Sequence, residues 1–197
     1  LFIASELRWP EKGIRLKQDT KFPEEEGTTL TVQLEKPSLL ALNIRVPYWA
    51  TKGVTVKVNG KPQIVRARPT SYLTLRRQWK TGDKVEVSLP MALHIHAMPD
   101  DPSIQAMMYG PMVLSGRLGA QGLTKEMMYG GYDTTLVGEP VASPDIVGDK
   151  KNPVAWVERV ASEPLTFRAL GQAQPITLVP FYKLWGERYA TYWKVRV

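Results

Sequence analysis

The 197 residues include no cysteine. That absence excludes disulfides, thiolate metal sites and thiol nucleophiles from this chain, and it leaves the redox compartment open. Histidine is almost as scarce, with only His94 and His96. No apolar run approaches the ~18–20 residues of a membrane-spanning helix, and no signal peptide is visible. The chain also lacks a helix-turn-helix, a zinc finger, an aromatic RNA-binding signature, a Ser/His/Asp order, a phosphate-cradling glycine loop and a metalloprotease helix. Neither nucleic acid nor a membrane is therefore an expected partner. Long amphipathic helices are missing too.

What remains is the composition of a soluble globular protein, 43% apolar with charge spread along the chain. Lys and Arg outnumber Asp and Glu by 26 to 19, for a formal net charge of +7. The densest basic clusters are only pairs, Arg76-Arg77 and Lys150-Lys151. Scattered cations of this kind suit the solvent side of strands; the other reading is a preference for acidic pectic glycans.

The period along the chain is that of half-buried strands. Leu30, Val32 and Leu34 alternate with polar residues, as do Leu40, Leu42, Ile44 and Val46, then Val54, Val56 and Val58, then Val85, Val87 and Leu89. Successive side chains of a strand point to opposite faces, so each set shares one face. Asn59-Gly60 is a strong signal for a type I′ hairpin turn, which needs positive φ at both positions. Strands expected near 40–46, 54–58, 62–66, 71–76 and 84–89 recur at roughly 8–12 residues, the rhythm of a sandwich or barrel. Residues 104–114 supply one more buried strand or pair. Between 117 and 174 glycines and prolines crowd together and clean alternation is lost, apart from short strands at Trp156-Val157 and 165–167. Strand character returns at 176–179 and 189–197. The expected architecture is all-β: a jelly-roll-like sandwich over 1–117, a loop-rich second β domain or insertion over 118–174, and C-terminal strands over 175–197 that can return to the first sandwich. Met-Met-Tyr-Gly occurs twice, from Met107 and from Met127, but the flanking residues differ and no repeat is read from it.

The wording is more specific than the period. Leu42-Asn43-Ile44-Arg45-Val46-Pro47-Tyr48-Trp49-Ala50 is followed in order by Val58-Asn59-Gly60, Arg76, Trp79, Gly82-Asp83 and Leu89-Pro90-Met91. Tyr109-Gly110-Pro111 with Val113-Leu114 comes next, then Val179-Pro180-Phe181-Tyr182, Arg188-Tyr189 and Tyr192-Trp193. Taken in this order the words resemble the C-terminal β-sandwich region of β-L-arabinofuranosidase-like enzymes, glycoside hydrolase families 127 and 146. The resemblance covers nearly the whole chain and is thin from about 119 to 173. It implies a catalytic (α/α)6 barrel ahead of the sandwich in the same polypeptide, with a zinc-bound cysteine thiolate as nucleophile. Without cysteine, this chain is expected to hold no catalytic residue, no cofactor and no metal of its own, with zinc belonging to the barrel. Opening at Leu1-Phe2-Ile3 with no initiator Met, it is expected to be the non-catalytic part of a larger enzyme. The expected location of that enzyme is periplasmic or extracellular. The other function class is an autonomous carbohydrate-binding module.

Candidate residues remain to be weighed. His94 and His96 stand at i and i+2 of a strand, so both imidazoles could face one zinc or copper ion, with Asp100 or Asp101 as further ligands. Alternatively they are outer-face residues opposite Leu93 and Ile95. Glu24, Glu25 and Glu26 could suggest a glycosidase pair, but adjacent acids on a turn share one environment, whereas acid and base need different ones. Asp100-Asp101 between prolines reads as turn chemistry. Six Trp and eight Tyr could offer platforms for sugar rings. Trp49, Trp79 and Trp193 are read as core or interface. Trp185, between a strand and Gly186, is the weak candidate for an exposed sugar-binding ring.

Overall fold

The computed structural model describes residues 2–129 and 142–196. It is all-β and divides into two units, Leu1–Ala92 and Leu93–Val197. Among the described residues no helix is long and apolar enough to cross a membrane.

The first unit contains β1 (Ser5–Trp9), β2 (Ile14–Thr20), β3 (Gly27–Leu34), β4 (Ser38–Val46), β5 (Thr55–Val58), β6 (Lys61–Pro62), β7 (Ser71–Trp79) and β8 (Lys84–Ser88). Six form an antiparallel sheet in the order β1-β2-β3-β8-β5-β6, while β4 and β7 pair separately along their whole length, from Ser38 opposite Trp79 to Val46 opposite Ser71. The alternation read from sequence sets which side of each strand is buried. Leu30, Val32, Val56, Val58, Val85 and Val87 are buried on the large sheet, and Ile44, Val46, Leu73, Leu75 and Trp79 on the pair. Their neighbours in sequence face water, so these apolar faces form the core.

The turns are held by side chains as well as by backbone. Asn59 and Gly60 have φ of 52° and 75°, as a type I′ turn requires. Asn59 Nδ2 donates to Asp83 Oδ1 at 2.8 Å, Asn59 Oδ1 accepts from the Lys84 N–H at 2.8 Å, and Asp83 Oδ2 accepts from the Lys80 N–H at 2.9 Å. The Thr81 hydroxyl bridges both backbone groups of Leu34. One carboxylate and one hydroxyl thus join the 80–83 turn, which links the two sheets, to the Asn59-Gly60 tip and the end of β3.

The second unit contains β9 (Leu93–Ala97), β10 (Ile104–Tyr109), β11 (Met112–Arg117), the short helix α1 (Lys125–Tyr129), β12 (Ile146–Val147), β13 (Val157–Arg159), β14 (Phe167–Ala169), β15 (Ile176–Pro180), β16 (Tyr189–Ala190) and β17 (Tyr192–Arg196). The main path is β12-β17-β10-β11-β15-β14-β13, with β9 added on β10 and β16 on β11. β12 runs parallel to β17, and the other pairs are antiparallel. Met107, Leu114, Phe167, Leu178, Trp193 and Val195 fill its core. Gly116 is required by that packing: a Cβ there would run into the buried Trp193 indole.

Several expectations need correction. The first domain was read as 1–117, but the unit ends at Ala92, because β10 pairs with β17, β11 pairs with β15 and β16, and β9 pairs with β10. The strands described within 118–174, β12, β13 and β14, belong to the same sheet as the C-terminal strands. β1 was not foreseen, and the strand expected at 62–66 shrinks to Lys61–Pro62. The two Met-Met-Tyr-Gly copies adopt different structures: Met107, Met108 and Tyr109 lie in β10, and Met127, Met128 and Tyr129 in α1.

Candidate functional site

Of the acids singled out in the sequence, Glu25, Glu26, Asp100 and Asp101 hold turns, and Glu24 is exposed. Glu25 pairs with Lys21 at 3.1 Å, and Glu26 Oε1 accepts from the Met91 N–H at 3.1 Å while its carbonyl accepts from the Leu89 N–H at 2.8 Å. Asp101 accepts from both the N–H and the hydroxyl of Ser103, which hold its carboxyl below the usual range, and Asp100 caps the Asp101 N–H. His94 Nε2 lies 2.8 Å from the Gly110 carbonyl and His96 is exposed, while Leu93 and Ile95 are only half-buried. Among the described residues no three His, Asp or Glu side chains gather closely enough to hold a metal ion. The thiolate donors of a family-type zinc site are missing from the sequence altogether. These residues do not fit that metal.

Open concave surfaces of about 760, 630 and 460 Å³ lie on the first unit and one of about 410 Å³ on the second. Two of them bear on function. The first, about 760 Å³, lies on the outer face of the six-stranded sheet. Strand register explains its lining: Asp19, Thr29, Glu86 and Lys57 stand opposite one another on β2, β3, β8 and β5, all on the face away from the core. It is a shallow polar trough in which Lys17 also pairs with Asp19 at 2.9 Å. No aromatic ring lines it.

The second is an aromatic cleft of about 410 Å³ lined by Val113, Phe181, Tyr189, Thr191 and Tyr192. The local structure dictates it. β15 ends at Pro180, opposite Leu114, and Phe181 opens a 3-10 turn over Phe181–Lys183. The chain returns through 184–188, tied by Leu118 N–H to the Arg188 carbonyl and Arg188 N–H to the Gly119 carbonyl, both 2.9 Å. The Arg117–Glu187 ion pair at 3.2 Å adds to this tie. Tyr189 then stands opposite Arg117, and Thr191 Oγ1 lies 3.0 Å from the fully buried Ser115 Oγ. In β17, Trp193 and Val195 point into the core, so Tyr192 faces out. The Phe181 and Tyr189 rings meet edge to face with centroids 5.1 Å apart.

Trp49, Trp79 and Trp193 are buried at 4%, 0% and 0% exposure, and Trp185 is 76% exposed. Trp185 does not line the cleft. The cleft residues were not singled out as a site in the sequence, although the outward position of Tyr192 follows from alternation with Trp193 and Val195.

Both units are thus built of β-sheet, and the two surfaces just described are polar on the first and aromatic on the second. Residues 1–91 match the family model described as "Beta-L-arabinofuranosidase, GH127 middle domain", and residues 94–195 match one described as a domain of unknown function. The second match covers more than half of the chain, which therefore belongs to that family of unknown function, while the first unit is similar to the GH127 middle domain, consistent with a GH127-like β-sandwich region. Similar solved structures include a glycoside hydrolase at 19% identity and TM-score 0.64, covering 98% of this chain and 34% of that one. A GH127 β-L-arabinofuranosidase from Geobacillus stearothermophilus T6 matches at 17% identity and TM-score 0.67, covering 100% and 33%. A GH127 β-arabinofuranosidase matches at 18% and 0.63, covering 100% and 34%. The chain thus spans about a third of the length of the structures it matches. No curated protein matches it.

Proposed function

We propose that this chain is the non-catalytic C-terminal accessory region of a glycoside hydrolase that degrades arabinose-containing plant glycans, and that it supports an (α/α)6 catalytic barrel carried by the same polypeptide. The observation that carries this reading is a conjunction. The chain aligns over its whole length with about a third of each solved glycosidase, yet it has no cysteine to serve as a thiolate nucleophile. Among the acids considered for a two-carboxylate mechanism, Glu26, Asp101 and Glu25 hold backbone groups or a basic partner, and Glu24 is their exposed neighbour in the same turn. Exposed Ile3, Leu7 and Trp9 at the start of the first unit support a packing role there. Phe2 beside them packs on Phe22 and Trp49, with ring centroids 4.5 and 5.9 Å apart.

The test is hydrolysis of a chromogenic β-L-arabinofuranoside by two purified proteins. The present chain should be inactive with or without zinc and reductant, and a longer polypeptide carrying the barrel should cleave the substrate or a related arabinoside. Turnover by the chain alone, surviving a control for contaminating enzyme, would overturn the assignment.

A further inference from the structure

Building on that glycan-directed reading, we propose that the aromatic cleft of the second unit, walled by Phe181, Tyr189 and Tyr192, is a stacking site for uncharged sugar residues of a glycan. Each of the three rings is about half exposed, at 48%, 48% and 54%. Neighbouring residues in the same strands, Leu114 beside Val113, Val179 in β15 and Trp193 beside Tyr192, are fully or almost fully buried. A sugar ring has an apolar C–H face and a hydroxyl edge. Its face needs an aromatic plane, and its edge needs neutral donors and acceptors. The cleft supplies both, as rings from three residues and as the hydroxyls of Tyr189, Tyr192 and Thr191.

Three further observations narrow the ligand. Among the described residues none of the five lining side chains is charged, so an anionic sugar would find no cation among them. The volume of about 410 Å³ lies in the range of small-molecule sites, roughly 300–1,000 Å³. A stable protein partner would need about 800 Å² on each side, far more than five side chains offer. The walls are also fixed beforehand: Tyr189 by its pairing with β11, Thr191 by Ser115, and the 184–188 return by its ties to Leu118 and Gly119. Prior order lowers the entropy lost on binding. Trp185, although the most exposed tryptophan, lies outside the cleft and is not part of the site.

The experiment uses the 197-residue chain in affinity electrophoresis and titration calorimetry with soluble linear arabinan as the neutral probe and polygalacturonate as the acidic one. Arabinan should retard the wild type equally at low and high salt. Tyr192→Ala and Phe181→Ala should each weaken it at least about tenfold, a loss of about 1.4 kcal/mol. Tyr192→Phe, which keeps the ring and loses one hydroxyl, should bind more weakly than wild type but more tightly than Tyr192→Ala, and Trp185→Ala should bind like wild type. Circular dichroism identifies any variant that fails to fold, and the remaining cleft variant then decides. No retardation of the wild type by arabinan, or retardation unchanged in the folded cleft variants, would sink the proposal. So would binding confined to polygalacturonate at low salt, which would reflect only the net charge of +7. The accessory assignment fails separately, through activity of the chain or inactivity of the longer polypeptide, neither of which bears on arabinan retention.

Discussion

Replacing Asp83 with alanine tests whether a single carboxylate organises the turns of the first unit. The side chain is only 2% exposed, and its two oxygens accept from Asn59 Nδ2 at 2.8 Å and the Lys80 N–H at 2.9 Å. Hydrogen bonds to a charged acceptor contribute about 1.5–3 kcal/mol each. Asn59 and Lys80 lie at exposed positions where water can replace the lost partner, so the lower figure applies to both, giving about 3 kcal/mol. Removing a buried carboxylate also relieves its desolvation, which leaves an expected net loss of about 2 kcal/mol. Asp83→Asn keeps the volume and one acceptor but sets an amide NH2 against one of the two donors, and should lose about half as much.

The same carboxylate predicts a pH signature. Burial pushes the Asp83 carboxyl upward, but the hydrogen bonds from Asn59 and Lys80 and the nearby charges of Arg77 and Lys80 outweigh it, leaving the carboxyl below the usual range. Its folded value therefore lies below an unfolded value of about 3.9. The stabilisation is fully present above that unfolded value and is lost as pH falls through the folded one. Asn cannot titrate, so the stability gap between wild type and Asp83→Asn should be constant from neutral pH to about pH 5 and close in stronger acid. Urea unfolding gives the gap, and hydrogen exchange at the Asn59 amide, which donates to the Lys84 carbonyl at 2.9 Å, localises it. Wild-type stability in Asp83→Ala at neutral pH, or a gap that persists unchanged into acid, would refute this reasoning.

Other substitutions probe single features. Gly60→Val places a β-branched residue at φ of 75° and should cost about 1 kcal/mol or more in urea unfolding, with full stability meaning that the turn does not need its positive φ. Gly116→Ala drives a Cβ into the buried Trp193 ring and should cost about 1–3 kcal/mol, with altered Trp193 fluorescence; an unperturbed variant would contradict that packing. The Glu6 carboxyl, bonded by Arg15 and Arg8, is held down to about 2, so NMR titration should show it charged until pH approaches that value. Its ion-pair contribution, present above the ordinary Glu range, fades only as pH falls through about 2, and a midpoint near 4 would mean the pairs do not persist in solution.

Much of the first unit was legible because its information is local. Val56-Lys57-Val58-Asn59-Gly60 states the face, the end and the turn of one strand in five residues. Leu30 and Val32, or Val85 and Val87, do the same for their strands. β1 was not legible: all five of its residues are exposed, so burial imprints no pattern on them, and the strand exists through its backbone pairing with β2. The domain boundary was illegible for another reason. Nothing in Pro90-Met91-Ala92 reads as a linker, and the strands on either side of it alternate alike. What separates β8 from β9 is the identity of their partners, and β11 finds β15 and β16 some 60 to 70 residues later in the chain. Such partnership is a property of the whole unit and is not written in any window of its sequence.

The same distinction explains why the acids, although conspicuous, belong to turns and why the cleft aromatics were not singled out. A run such as Glu24-Glu25-Glu26 is conspicuous in sequence, yet turns collect acids for backbone reasons. Glu26 spends its carboxylate on the Met91 N–H and its carbonyl on the Leu89 N–H, closing the first unit at the end of β8. Phe181, Tyr189 and Tyr192 are inconspicuous because they are spread over a strand end, a short bridge and a last strand. They meet only because β11 pairs with both β15 and β16. Chemistry that needs charge must be read through what the charge already holds. Recognition that needs flat neutral surface must be read through which rings the fold leaves outside its core. On this chain the first test removes the carboxylate candidates, and the second leads to the cleft.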